Sequence, residues 1–306
     1  MKKFVKHLLL GLLAIALLDF AIGSSLEHFY FKQDSGFQYR TTYSLNHVKD
    51  DLMIFGSSRA NHHYVPHVFE SELDVSCYNT GRDGTYFFYQ TALLKTMLKR
   101  HRPKVIVYDF YGSFEYSQSD YDRLSSLLPY YEQHEEIQEV LALKGPFEKL
   151  KTLSKIYPYN SLLLNIIKGN MEFNKERSKD FKGYVPLPNV WNNTLEPLKT
   201  ASEYQFDQNK LKAFEEFIYL CKKNNIELYV VVSPVFYEYE SDFSIATCEK
   251  ICSEQNIPFY DFTKNHAFLR KPEWYADILH LNQIGAKKFS GMIADSLQVN
   301  SGHLKK

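Results

Sequence analysis

The chain has 306 residues, 44% of them hydrophobic and 24% charged, so it can bury a sizeable core as one large domain with an insertion or as two small domains. Lysine plus arginine and aspartate plus glutamate number 36 each, and the formal net charge of zero lacks the basic excess of a nucleic-acid binder. Aromatic residues reach 16%, with 23 Tyr and 23 Phe. Tyr-rich surfaces line many carbohydrate clefts, but Tyr is also ordinary core and interface material.

The N-terminus carries Lys2, Lys3 and Lys6 ahead of an uncharged run from Leu8 to Leu18. Asp19 interrupts the run, and Phe20-Ala21-Ile22-Gly23 extends it. A basic segment before an apolar stretch directs the chain to the export route and keeps the lysines on the cytoplasmic side. The run is short against the roughly 20 residues of a spanning helix. No small-x-small cleavage site follows, so an uncleaved signal anchor over residues 1–26 is preferred to a removed signal peptide. The expected localisation is the cytoplasmic membrane, single-pass, with the N-terminus inside and the domain on the periplasmic or cell-surface side.

A polar connector rich in Tyr and His is expected over residues 27–50. Beyond it, Asp51–Phe55 reads as a buried strand ending at Gly56, and Val75–Tyr78 as a second ending at Asn79. Thr85–Arg102 is helical, with Leu93, Leu94, Met97 and Leu98 on one face. Pro103 then opens a third strand, Lys104–Asp109. Continuous apolar strands separated by helices imply a parallel sheet covered on both faces.

From about 113 to 205 the pattern becomes that of a helical and irregular insertion packed beside the sheet. Its helical pieces are Glu132–Leu143, Phe147–Ile156 and Ser161–Ile167. They are followed by a Pro-, Asn- and Lys-rich stretch through Val185-Pro186-Leu187-Pro188. The α/β pattern resumes with helix Gln208–Asn224, strand Glu227–Val232, helix Ser244–Gln255 and strand Pro258–Asp261. A last helix follows Asn282, a good N-cap, to about Leu297, and 299–306 is a polar tail. The predicted fold class is α/β, a three-layer αβα sandwich over residues 51–298 with a central parallel sheet of about five strands. In such sheets ligands sit beyond the carboxyl ends of the strands.

The four cysteines, Cys77, Cys221, Cys248 and Cys252, form no zinc-ribbon spacing. Cys248 and Cys252 are one helical turn apart and could approach, although buried free thiols are the commoner outcome. His62, His63 and His67 suggest a metal site only weakly, because no acidic or cysteine ligand completes a known spacing. No metal or other cofactor is expected.

Three loops at the strand ends carry the chemistry. Gly56-Ser57-Ser58-Arg59 follows the first strand, where a Ser at a strand-to-helix turn exposes its hydroxyl and a neighbouring N–H can serve an oxyanion. Asn79-Thr80-Gly81-Arg82-Asp83-Gly84 follows the second strand, and its glycines permit positive φ and close approach of the backbone. Asp277-Ile278-Leu279-His280-Leu281-Asn282 precedes the last helix, with an Asp three residues ahead of a His to fix its tautomer. Each alone is a common turn.

Taken together, in this order, the three blocks resemble the SGNH/GDSL hydrolase family over roughly Asp51–Leu297, interrupted by the insertion. Asp277-Ile278-Leu279-His280-Leu281-Asn282-Gln283-Ile284-Gly285-Ala286 is the most specific piece. The resemblance implies Ser58 as nucleophile, with Ser57 where the family has Asp, and Asp277 and His280 as its partners. It also implies an oxyanion hole from the N–H groups of Ser58 and Gly84. The family's third block offers an Asn side chain, and here Ser113 stands in that place. The anchor and the Gly-Ser-Ser-Arg variant look like the envelope-facing branch, whose members are linked to acyl groups on cell-surface polysaccharides.

The resulting expectation is a serine-dependent acyl-ester hydrolase or O-acetyltransferase. Its partners would be an acylated glycan or small ester, the membrane through the N-terminal helix, and envelope polysaccharide machinery, without nucleic acid. Two alternatives stand beside it. One is a catalytically weak or inactive glycan-binding or assembly protein that keeps the fold, and the other is a lipase or thioesterase acting on lipid acyl chains.

Overall fold

The computed structural model of the chain describes residues 1–171, 181–192, 205–237 and 243–304. The first half comprises helices α1 (Lys2–Phe31) and α2 (Gly36–Asn46), strand β1 (Leu52–Gly56), helices α3 (Ser58–His63) and α4 (Pro66–Leu73), and strand β2 (Cys77–Asn79). Helix α5 (Phe87–Leu98) and strand β3 (Val105–Asp109) follow, then α6 (Gln118–Asp122), α7 (Glu135–Leu141), α8 (Glu148–Lys151) and α9 (Leu163–Asn170). The second half runs α10 (Gln208–Lys223), β4 (Glu227–Val232), α11 (Phe243–Glu254), β5 (Phe259–Asp261) and α12 (Gln283–Asn300). The chain divides into two compact units, Met1–Thr42 with Tyr121–Ser178, and Tyr43–Asp120 with Lys179–Lys306.

The second unit holds one parallel sheet in the order β2-β1-β3-β4-β5, the flavodoxin-like order of doubly wound α/β folds. The α/β class and the five parallel strands are those read from the sequence. Alternate residues of each strand face opposite sides. Leu52, Ile54, Val105, Val107 and Val231 join a core with Phe69 of α4 and Phe289 and Ile293 of α12. On the other side, Phe55 and Tyr108 meet Phe217 of α10 edge-on, with ring centroids 5.2 and 4.9 Å apart. Burial on both faces is why these strands read as unbroken apolar runs.

The order reverses between β1 and β3, the place where such sheets open a crevice. Gly56 ends β1 at φ +143°, and a Cβ there would lie 2.7 Å from both Ala60 Cβ and Asp109 O. Only glycine lets the chain turn that tightly into α3.

Several local expectations differ from the structure. The stretch read as a connector is largely helical, because α1 continues to Phe31 and α2 covers Gly36–Asn46. Helices α3 and α4 are too short and too polar to show an apolar period. The helix expected over Phe147–Ile156 shrinks to Glu148–Lys151, since the N–H groups of Lys155 and Ile156 turn to the Asp19 carboxylate. Of the insertion, the Tyr121–Ser178 portion groups with the N-terminal segment in one compact unit. Parts of it, 172–180 and 193–204, lie outside the described residues.

All four cysteines are buried free thiols, Cys248 and Cys252 included. At the C-terminus, the N–H groups of Gly302 and His303 donate to Glu227 Oε1 at 2.9 and 3.0 Å, so the start of the polar tail is tied to β4. One helix, α1, is long and apolar enough to cross a membrane among the described residues, with mean hydropathy 2.1 over its best window.

Candidate active site

Ser58 opens α3 directly after the Gly56 turn, at the carboxyl end of β1. His280 lies 222 positions away, and its Nε2 stands 2.8 Å from Ser58 Oγ. On the opposite edge of the ring, Nδ1 is 3.0 and 2.9 Å from the two oxygens of Asp277. Ser58, His280 and Asp277 therefore form one continuous hydrogen-bonded chain, all three brought together as the sequence order suggested.

The Asp-x-x-His spacing makes half of this arrangement locally. Asp277 Oδ1 accepts the N–H groups of Leu279 and His280 at 2.8 and 2.9 Å. The N–H of Ala276 donates to the carbonyl of His280 at 2.9 Å, closing the loop on itself. Asn282 then caps α12 by accepting from Ile284 and Gly285, while its amide donates to the carbonyls of Glu273 and Tyr275. One residue thereby fixes both the helix start and the loop before it.

Partial burial pushes the Asp277 carboxyl upward, but the His280 ring, its charge and the two backbone donors outweigh this. The net effect holds the carboxyl below the usual range. An ionised Asp277 accepts only, so the proton sits on Nδ1 and Nε2 is left with a lone pair facing the Ser58 hydroxyl.

Behind these residues lies a buried polar network that the sequence did not reveal. His63 is fully buried, and its Nε2 accepts the N–H of Leu281 at 2.9 Å. Its other nitrogen therefore carries the proton and donates to Ser233 Oγ at 3.0 Å. Burial, the Arg59 charge and the neighbouring histidines hold its pKa well below 6.5. Arg59, also buried, donates from Nη2 to the Ser233 carbonyl at 3.0 Å and places Nε 3.7 Å from Asp109 Oδ1. Tyr64 donates its hydroxyl to Asp109 Oδ2 at 2.6 Å. Burial raises the Asp109 carboxyl while Arg59, Tyr64 and Ser233 counter it.

The signal for this network was positional. Asp109 and Ser233 stand at the carboxyl ends of β3 and β4, and Arg59 and His63 are four apart on one helix face.

The second loop is also held from beneath. Asn79 donates to the carbonyls of Ala60 and Tyr64 at 2.7 and 2.8 Å and accepts the Gly81 N–H at 2.9 Å. Gly84 has φ +69°, a conformation suited to glycine. Asn61 Nδ2 donates to Asp83 Oδ1 at 2.7 Å, and His62 stacks edge-on against His280 with centroids 5.4 Å apart. Ser57 is buried, and its hydroxyl has no hydrogen-bond partner among the described residues. Ser113 Oγ accepts the Glu115 N–H at 3.0 Å. With Arg59, Tyr86, Tyr111 and Lys210, Ser113 lines a pocket of about 400 Å³.

The three neighbouring histidines go separate ways. His62 bonds the Val185 carbonyl, His63 joins the buried network and His67 pairs with Glu70.

No protein-family model matches the chain, and no curated protein matches it either. Among solved structures it is similar to a candidate acylhydrolase from Bacteroides fragilis, at 11% identity and TM-score 0.45, over 90% of this chain and 100% of that one. It is also similar to a candidate platelet activating factor from Streptococcus pneumonia, at 12% identity and TM-score 0.43, over 93% of this chain and 98% of the other. Likenesses this distant carry no residue's role across.

Proposed function

We propose that this chain is a membrane-anchored serine acyl-ester hydrolase or O-acetyltransferase acting on an acylated glycan of the cell envelope. The observation that carries the reading is the hydrogen-bonded chain from Ser58 Oγ through His280 to Asp277, with the Nδ1–H tautomer fixed. A Ser hydroxyl facing an imidazole lone pair is the arrangement for nucleophilic attack on a carbonyl.

In this reaction Ser58 Oγ bonds to the ester carbonyl carbon as its proton passes to His280 Nε2. The imidazolium is stabilised by the Asp277 carboxylate. The N–H groups of Ser58 and Gly84 receive the charge on the carbonyl oxygen. Collapse of the tetrahedral intermediate breaks the bond to the alcohol, which leaves with the proton from His280. Water or a sugar hydroxyl then attacks the acyl-Ser58 ester by the same route in reverse. These two acceptors separate hydrolysis from transfer.

The glycan part of the reading is supported by the polar pocket that Arg59 shares. There Tyr86 and Tyr111 stand among Ser117, Ser119, Asp120 and Lys210. Tyrosine rings with nearby polar groups suit a sugar face and its hydroxyls. The anchor part is supported by the apolar α1 and by Lys2, Lys3 and Lys6, which orient the N-terminus inward.

The test is an esterase assay with short- and long-chain acyl esters, run beside labelling with a fluorophosphonate probe. Turnover with covalent probe on Ser58, lost in Ser58→Ala, is expected. A folded protein that neither turns over esters nor takes the probe would leave a glycan-binding role for the fold.

A further inference from the structure

The N-terminal unit holds a relationship that the ester chemistry does not use. Asp19 interrupts the apolar face of α1, and its carboxylate accepts three hydrogen bonds from one turn of the insertion. Ser154 Oγ donates at 2.5 Å, Lys155 N–H at 2.7 Å and Ile156 N–H at 3.4 Å. Gly23, one turn further along α1, packs so closely on Lys155 that a Cβ there would lie 2.4 Å from its carbonyl carbon.

The depth of that contact follows from helix geometry. Lys6 and Glu27 are the charged residues that bracket the apolar segment once Asp19 is satisfied, and 21 residues at 1.5 Å each separate them by about 31 Å. That matches a hydrocarbon core of about 30 Å. Asp19 lies eight residues inside Glu27, hence about 12 Å below the outer boundary. A charge there needs partners from protein, because lipid offers none.

Lys155 supplies a second indication of depth. Its backbone bonds Asp19, while its Nζ reaches Glu27 and Glu132, each at 3.1 Å. A lysine whose main chain sits low and whose ammonium extends toward the boundary is snorkelling.

Exposed apolar side chains flank the turn on either side, interleaved before it with Lys149 and Lys151. Phe147, Leu150 and Leu153 precede it with relative exposures of 65, 63 and 78%, and Leu164 of α9 follows at 71%. Ile167 is half exposed, and between α9 and α1 the face opens into an apolar groove of about 590 Å³ that includes Ile22, Leu26 and Phe29. Through that groove α9 adjoins α1, whose apolar side chains are exposed along its whole first half. Isolated exposed leucines are ordinary, but a contiguous patch marks a partner.

We propose that the 147–167 segment lies in the outer leaflet of the bilayer that α1 crosses, with Phe147, Leu150, Leu153, Leu164 and Ile167 against lipid acyl chains. The inference rests on the anchor reading of α1. It makes the N-terminal unit a wedge embedded beside its own anchor, not a tether on a single helix.

The test uses the full chain reconstituted in phosphatidylethanolamine–phosphatidylglycerol vesicles. Single spin labels are placed through Leu13→Cys, Leu153→Cys, Leu164→Cys and Tyr219→Cys. The four native cysteines are buried, and unsubstituted protein serves as the labelling blank. Accessibility to oxygen, which concentrates in lipid, is compared with accessibility to a water-soluble nickel chelate. Labels at 153 and 164 are expected to give an oxygen-to-nickel ratio matching 13 and several-fold above 219. If 13 is lipid-exposed while either 153 or 164 matches 219, the wedge is overturned and the anchor stands. If 13 itself matches 219, the anchor reading fails and the wedge fails with it.

Discussion

The N–H of Leu281 donates to Nε2 of His63 at 2.9 Å, which couples the helix that begins with Ser58 to the loop that carries His280. In the proposed reaction His63 would be a positioning residue, setting where His280 sits. Because Nε2 must accept and Nδ1 must donate to Ser233, only the neutral Nδ1–H tautomer fits. Replacing His63 by Leu orphans both partners and is expected to cost about 1–3 kcal/mol of stability. Turnover should fall through kcat, with KM little changed, because the geometry of the reacting groups loosens while the pocket persists.

The same residue gives a pH dependence with a definite sign. The folded pKa of His63 lies well below 6.5, whereas the unfolded chain takes up its proton near 6.5. The unfolded state therefore binds more protons in that interval, and stability declines as pH drops below about 6.5. Thermal melts across pH 4.5–8 on the wild type and His63→Leu should show a shallower acid decline in the variant. Parallel profiles would mean that His63 does not titrate with unfolding.

Ser58→Ala and His280→Ala should each remove most turnover, and the double variant should be scarcely worse than either, because the residues act as one unit. Asp277→Asn should lower kcat by about 10³–10⁴ by favouring the wrong tautomer. Ser57→Ala should remain close to wild type, its hydroxyl being buried and without a partner among the described residues. An inactive Ser57→Ala beside an active Ser58→Ala would show that the nucleophile is misassigned.

Ser113 tests the oxyanion hole. Its oxygen accepts the Glu115 N–H, which leaves only its O–H to serve as a donor, and the side chain reaches less far than an amide. Ser113→Asn is expected to raise kcat on an aryl acetate with KM little changed, within the roughly 10²–10³ that one such donor supplies. A fall in kcat with unchanged melting would place the third donor elsewhere.

The buried Arg59–Asp109 pair is expected to be structural first. Asp109→Ala strands the Arg59 guanidinium and should cost about 3–5 kcal/mol. Tyr64→Phe removes one charge-assisted bond and should cost about 1.5–3 kcal/mol. Urea unfolding curves would measure both, and a loss much below these ranges would mean water replaces the missing partner.

Whatever local chemistry encodes is legible in the chain alone. Apolar runs bounded by Gly56, Pro103 and Ser233 gave the strands, because a strand buried on both faces leaves no room for a polar residue until it ends. Asp277 and His280 were legible because three residues of spacing suffice to join them, and Asn282 because an N-cap is a local bond. Helix α4 was not legible, since a Pro66 start and eight residues give too little periodicity to read.

The remaining contacts arise from packing between elements distant in the chain. Ser58 meets His280 only because β1 lies inside the sheet, between β2 and β3, and α12 returns beside α3. His63 reads only as one of three histidines in a weak metal pattern until Leu281 and Ser233, 218 and 170 positions away, are brought against it. Asp19 looks like a break in an apolar helix until Ser154, 135 positions on, accounts for it. A polar side chain's role depends on which partner burial leaves within reach, and that distance is set by the packing of elements remote in sequence.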